Sequence, residues 1–276
     1  MTTTVNLIGT GRVGQTLLRC LSGQPDLIIQ DVNSRRYAAA VSAVDATGQG
    51  RAVETLKQMR PADIWLLTVP DTTIASVADD LAAINLTPAI AVHCSGFHVA
   101  GVMAPLGAKG WHLASAHPML SFADPEVSAA RFPGTWVGME GDSDALDPVG
   151  GLFSGLGART FRVSSEGKAL YHAAAVITNN FTTVLQAVAL ETLERAGVPE
   201  EAARDLNATL LRSTLENIER LGPAEALTGP AARGDRAVVD AQAARVASWR
   251  TDVGEVYVQL SEMAVRLKIT GSTEPD

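Results

Sequence analysis

Apolar runs closed by turn-forming residues alternate with stretches of helical periodicity through the first 163 residues. The runs at 5–8, 27–32, 63–71 (ended by Pro70), 89–93, 113–116, 135–139 and 159–163 predict strands, several of them apolar on both faces as buried parallel strands are. Between them, 15–21 and 74–83 carry helical spacing, and 142–155 reads as a surface helix. This alternation predicts an α/β fold, a doubly wound and mostly parallel sheet. At Ser164-Ser165-Glu166-Gly167 the texture changes. From Lys168 onward only Ala-, Leu-, Glu- and Arg-rich helical runs remain, at 168–196, 199–221 and 235–268. Gly197-Val198-Pro199, Gly222-Pro223 and Thr228-Gly229-Pro230 interrupt them. The expected organisation is a dinucleotide-binding Rossmann domain over 1–163, then an all-α domain over 164–276 with a frayed tail from Thr270.

The first strand runs directly into Gly9-Thr10-Gly11-Arg12-Val13-Gly14 and a helix. G-x-G-x-x-G is weak alone, but in this strand–turn–helix context each glycine has a task. Gly9 permits the tight turn, Gly11 admits a pyrophosphate to the backbone, Gly14 lets helix pack on strand, and the helix N-terminus offers N–H donors. The second strand ends at Asn33-Ser34-Arg35-Arg36, where the ribose-reading residue belongs. A hydroxyl and two guanidinium groups suit a 2′-phosphate, which a carboxylate would repel, so NADP is expected over NAD. Asp31 keeps NAD open, because it lies two residues earlier on the same strand face. The strand ends Val69-Pro70 and Cys94-Ser95-Gly96 should border the nicotinamide.

Composition fits a small-molecule enzyme. A 46% apolar content and mean hydropathy of +0.12 supply a core, while a net charge of −8 with no basic stripe excludes nucleic acid and anionic membrane as partners. Two cysteines make no disulfide framework, and the absence of a basic leader or long apolar segment predicts a cytoplasmic protein. The spacing of His93, His98, His112 and His117 with Cys94 matches no closed zinc pattern, so no metal is expected. His93 reads as a satisfied core histidine, and His117, before a proline, as a turn residue with substrate binding the rival reading. Ser95 has no nucleophile elbow around it.

The most useful constellation beyond the glycine motif is on the first helix of the α domain. At about 100° per residue, Lys168, His172, Ala175 and Asn179 share one narrow stripe. It presents an ammonium, an imidazole and an amide able to handle a carbonyl or imine, with Lys168 or His172 as proton donor and Asn179 as orienting group. These are expected to face Ser95 across an interdomain cleft. The bland alternative is a solvent-facing polar helix surface. Apolar stripes such as Leu206, Leu210, Leu211, Leu215 and Ile218 predict a homodimer through the helical domain.

Several segments together carry a family resemblance: Gly9 to Gly14, Val69-Pro70-Asp71, His93-Cys94-Ser95-Gly96, His117-Pro118-Met119 with Phe122, Lys168 with Tyr171-His172-Ala173-Ala174, Asn179-Asn180-Phe181, and Leu227-Thr228-Gly229-Pro230-Ala231-Ala232-Arg233-Gly234-Asp235. The chain resembles bacterial Rossmann-like proteins with a helical C-terminal domain of unknown function. These are provisionally labelled NADP oxidoreductases and sit in the 6-phosphogluconate dehydrogenase-like superfamily. The likeness implies reduction of a small, carboxylate-bearing C=O or C=N substrate with NADP(H), by a dimer in which Arg233 and Asp235 reach a neighbouring subunit's cleft. In the β-hydroxyacid dehydrogenase branch a helix Lys is followed four residues later by Asn. Here Ser95-Gly96 and Lys168 match that pattern but His172 does not, which points to a different proton-transfer arrangement. A deazaflavin-linked NADP oxidoreductase and a non-catalytic NADP(H)-responsive binding module are the competing classes.

Overall fold

The computed structural model describes residues 2–275, and the chain divides into two compact units, Met1–Asn179 and Asn180–Asp276. In the first the order is β1 (Thr3–Ile8), α1 (Arg12–Ser22), β2 (Leu27–Asn33), α2 (Tyr37–Thr47), β3 (Arg51–Val53), β4 (Ile64–Leu67), α3 (Ile74–Ala82), β5 (Ile90–His93), α4 (Ala104–Gly107), β6 (His112–Pro118), α5 (Pro125–Ala130), β7 (Trp136–Gly141), α6 (Ser143–Gly155), β8 (Arg159–Arg162) and α7 (Lys168–Val176). All eight strands form one sheet in the order β3-β2-β1-β4-β5-β6-β7-β8. Every pairing is parallel except β6 with β7.

Helices cover both faces, which is why the central strands are apolar throughout. In β4, Leu66 packs into the core on one face with Leu17, Leu21 and Val92, whereas Trp65 and Leu67 pack on the other with Ile74, Ala78 and Met103. The segment predicted as a surface helix, α6, buries Ala145, Leu146, Val149, Leu152 and Phe153 on the first of these faces. Only its outer side meets solvent.

The reversal at β7 matters most for the site. Pro118 pairs with Val137 and His117 with Gly138, and Gly138 in turn pairs with Phe161 of β8. The start of β7 and the first half of β8 therefore flank the carboxyl end of β6, the edge where open α/β sheets bind ligands.

The boundary between units falls at Asn179/Asn180 rather than at 163. Helix α7 belongs to the sheet unit because Lys168, only 1% exposed, plants its ammonium on Ser115 of β6. A π-helical turn, Ile177–Phe181, carries the chain from α7 into α8 (Thr182–Arg195). The run Lys168–Arg195 is long and apolar enough, by length and composition, to cross a membrane. The expectation of no long apolar segment is therefore not met, although its first turn is docked on the sheet through Lys168.

The second unit is helical: α8, α9 (Glu200–Leu221), α10 (Pro223–Ala226), α11 (Pro230–Arg233), α12 (Arg236–Trp249) and α13 (Thr251–Thr270). The last predicted helix is in fact two, split at Arg250, whose backbone is extended. No glycine or proline marks this break. Arg250 is held by ion pairs to Asp252 and Glu191, and Gly254 lies so close to Ala247 that no Cβ would fit between the helices. Among the unit's described residues only Ala203 and Gly254 are buried, while Leu206, Leu210, Leu211, Leu215 and Ile218 are all exposed.

Candidate active site

The glycine loop is built as a backbone cradle. Gly9 has φ +101°, a conformation that a side chain disfavours, and a Cβ on it would press on the Thr68 carbonyl at 2.7 Å. A Cβ on Gly14 would collide with the Gly9 carbonyl, so α1 reaches the sheet only because that residue has no side chain. Thr68 Oγ1 donates to the Gly9 carbonyl at 2.6 Å and locks the loop to the end of β4. Gly11 differs: it is exposed, and a Cβ there would meet nothing within 4 Å. It precedes an α1 N-terminus with no side-chain cap and no acidic residue in the first turn. Uncapped N–H groups and the positive end of the helix dipole suit an anion there, so the residues present fit a dinucleotide pyrophosphate.

The adjoining strand end is tied to this loop. Thr10 Oγ1 donates to Ser34 Oγ at 2.9 Å, and Arg35 and Arg36 follow with exposed side chains, as does Arg12 on the loop. Val69 is half-buried and Pro70 exposed at the end of β4. Asp31 is not available to a ribose. It is fully buried, with Arg51 at 2.9 Å and Arg60 at 2.7 Å, and Arg60 also donates its backbone N–H. Burial pushes this carboxyl up, but the hydrogen bonds from Arg60 and Arg51 outweigh it and hold it below the usual carboxylate range.

A second cluster gathers at the carboxyl ends of β5 and β6. Ser95 is 6% exposed with its hydroxyl fully engaged, donating to Asp71 at 2.9 Å and accepting from the N–H groups of Phe97 and His98. It shapes the turn after β5 and has no lone pair left for a substrate. His93 is a satisfied core histidine as expected, bonded to the Val99 carbonyl and the Ser95 N–H, and burial lowers its pKa to about 4.

Two glycines seat α7 against this edge. A Cβ on Gly96 would overlap His172 Nδ1 and press on the His117 ring at 2.9 Å; one on Gly138 would lie 2.5 Å from Tyr171 Oη. Tyr171 thus fills a notch over Gly138 between His117 and Phe161, with ring centroids 5.6 and 5.8 Å away, both edge to face. His172 stands against His117 at 5.5 Å. His117 does not serve its own turn in the way its position before Pro118 suggests. Its Nδ1 meets Tyr171 Oη at 2.9 Å.

The electrostatics follow from enclosure. Burial, helped by the neighbouring His172 and Lys168, lowers the His117 pKa to about 4; burial raises that of Tyr171 to about 12. Burial also pushes the Lys168 ammonium down, with Glu140, Cys94 and Asp71 opposing. Glu140 accepts from the Ala100 N–H at 2.7 Å and from Ser165 at 2.8 Å, pinning β7 to the segments on either side.

Of the expected stripe, then, His172 meets Gly96, and Lys168 reaches Ser115, whose hydroxyl donates to the Ser95 carbonyl, all inside one compact unit and not across two. Asn179 is exposed, because the π turn beginning at Ile177 shifts the chain out of α-helical phase. Sequence reasoning passed over Ser115 and Gly138, and gave Tyr171 no role of its own. Lys168, Tyr171 and His172 stand at i, i+3 and i+4, one helix face, and that spacing was the signal available. Arg233 and Asp235 pair with each other at 2.9 Å.

Residues 2–118 match a family described as a Rossmann-like domain, and residues 135–264 match a domain of unknown function, DUF2520. No curated protein matches the sequence. Among solved structures, protein TM1727 from Thermotoga maritima is 27% identical, with a TM-score of 0.77 over 97% of this chain and 99% of its own. BF3122 from Bacteroides fragilis, provisionally named an NADP oxidoreductase, is 24% identical with a TM-score of 0.77 over 96% and 98%. A pyrroline-5-carboxylate reductase from Coxiella burnetii, 15% identical, shares the fold with a TM-score of 0.61 over 96% and 99%.

Proposed function

The chain joins a Rossmann-like domain to a C-terminal DUF2520 domain, and on that premise we propose that it is an NADP(H)-dependent oxidoreductase that reduces a small carbonyl or imine substrate carrying a carboxylate. The observation that carries this reading is the Gly9–Gly14 cradle with Ser34, Arg35 and Arg36 at its side. Gly11 and the uncapped N-terminus of α1 would hold the pyrophosphate, and Ser34 with the two arginines the 2′-phosphate. The buried engagement of Asp31 removes the one carboxylate that would favour NAD. Bound NADPH would supply a hydride at the ends of β4, β5 and β6, and the His117, Tyr171 and His172 cluster lies at that edge. The name of BF3122 supports a nicotinamide-linked oxidoreduction, and that of the Coxiella reductase the reduction of a cyclic imine bearing a carboxylate.

The helical unit would join two copies of the chain. A unit in which Ala203 and Gly254 alone among the described residues are buried lacks the core that a stable fold of its size requires, and a second copy presenting the same apolar stripes would supply one.

The cofactor reading is tested by titrating NADPH and NADH against the protein by nicotinamide fluorescence, alongside the Arg35→Ala, Arg36→Ala double variant. Each charge-assisted phosphate contact contributes about 1.5 to 3 kcal/mol, so NADPH should bind at least about tenfold tighter and the variant should lose most of that preference. Equal affinities in the unmodified protein would overturn it.

A further inference from the structure

We propose that Tyr171, hydrogen-bonded to His117, is the group that gives the proton to the substrate's oxygen or nitrogen. This rests on the reading of the site as a reductase.

Ser95 and Lys168 are committed elsewhere, and His172 is enclosed at Nδ1. The Ser95 hydroxyl donates to Asp71 and accepts from two backbone N–H groups. Lys168 is 1% exposed, with its ammonium on Ser115 below the Ser95-Gly96 turn. His172 turns Nδ1 onto Gly96, enclosed and without a hydrogen-bond partner, so this nitrogen reaches no substrate. Tyr171 is half-buried instead, its hydroxyl over Gly138 and 2.9 Å from His117 Nδ1, and it donates to the His117 carbonyl only through a long contact of 3.4 Å that a substrate atom could replace. Its ring is pinned edge to face by Phe161 and His117, so the hydroxyl is held in place before any substrate arrives. A donor fixed at the carboxyl end of β6 is where open α/β sheets place their chemistry.

The proton accounting closes within this pair and solvent. Bound NADPH would supply the hydride for the new C–H bond; as the C=O π pair moved onto oxygen, that oxygen would take the Tyr171 proton. His117 Nδ1–H then returns a proton to the phenolate while Nε2 takes one from water, and the ring ends neutral in its other tautomer. With an imine, the nitrogen lone pair takes the Tyr171 proton before the hydride arrives. Because burial lowers His117 to about 4 and raises Tyr171 to about 12, the pair is uncharged between those limits and keeps both the Tyr171 O–H and one His117 N–H across neutral pH. Lys168 acts as a positioning residue, since its bond to Ser115 fixes the first turn of α7 and with it the place of Tyr171.

The test compares Tyr171→Phe and His117→Gln with the unmodified protein. Phenylalanine keeps the ring over Gly138 and removes only the hydroxyl; glutamine keeps a hydrogen-bonding partner for Tyr171 but ends the relay. NADPH affinity is read by fluorescence, the His117 ring by ¹⁵N NMR without cofactor, and NADPH oxidation with pyruvate and 1-pyrroline-5-carboxylate as probes. The expected result for Tyr171→Phe is a shifted His117 Nδ1 resonance, NADPH Kd and KM within about twofold, and kcat lower by about 100-fold. His117→Gln should lower kcat less and flatten its response to D₂O. Tyr171→Phe with kcat within threefold of the unmodified protein, or with its loss in Kd instead, overturns the assignment alone. NADPH that binds but is oxidised with neither probe overturns the reductase reading and this assignment with it.

Discussion

Replacing Gly138 by alanine should undo the seat of α7. The new Cβ would lie 2.5 Å from Tyr171 Oη and 2.7 Å from Cζ, and the glycine is a paired strand residue, bound between His117 and Phe161 in register. The sheet cannot withdraw, so the ring must. Forcing a side chain out of a filled notch costs about 1 to 3 kcal/mol, and the hydrogen bond to His117 Nδ1 adds about 1 kcal/mol. A total of about 2 to 4 kcal/mol should lower the melting temperature by about 5 to 12 °C in a domain of this size. Thermal and urea unfolding of Gly138→Ala measure this, and the same substitution in a Tyr171→Ala background isolates the clash. With the ring gone, the added methyl has space, so the second cost should fall below about 0.5 kcal/mol. Equal costs in the two backgrounds would refute the argument, because the penalty would then belong to the strand and not to the Tyr171 contact.

Two further outcomes follow from buried groups. His93 and His117 are held neutral with pKa values of about 4, well below that of an exposed histidine, so the unfolded chain binds more protons than the folded one between pH 6.5 and 4. Their full contribution is present above pH 6.5 and is lost as pH falls toward 4. His93, which is fully buried, should account for up to about 3 kcal/mol, and a melting temperature flat from pH 8 to 4 would contradict this. Light scattering should give twice the chain mass at micromolar concentration, and Leu210→Glu with Leu215→Glu, on the exposed stripe of α9, should shift it toward the single-chain value; a monomeric unmodified protein would remove the case for a paired helical unit.

Local chemistry made much of this molecule legible in its sequence. A glycine between a buried strand and a helix has few physical uses, so Gly9 and Gly14 announced a tight strand–turn–helix junction before any contact was known. Unbroken apolar runs such as the one around Trp65 and Leu66 demanded helices on both faces of a sheet. What the periodicity could not carry was anything set by pairing between distant segments. The antiparallel turn of β7 brings Gly138 beside His117, and only that makes a notch for Tyr171. A hydroxyl's availability also depends on its neighbours, so Ser95 looked free at the end of its strand and proved saturated by Asp71 and two backbone amides. The unmarked break at Arg250 has the same origin, since ion pairs to Glu191 and Asp252 hold the backbone extended there. Patterns along a chain report which face of an element is apolar. Which buried group stands against which is decided by the register of strands and the seating of helices, and the chemistry at the ends of β5 and β6 belongs to that second kind.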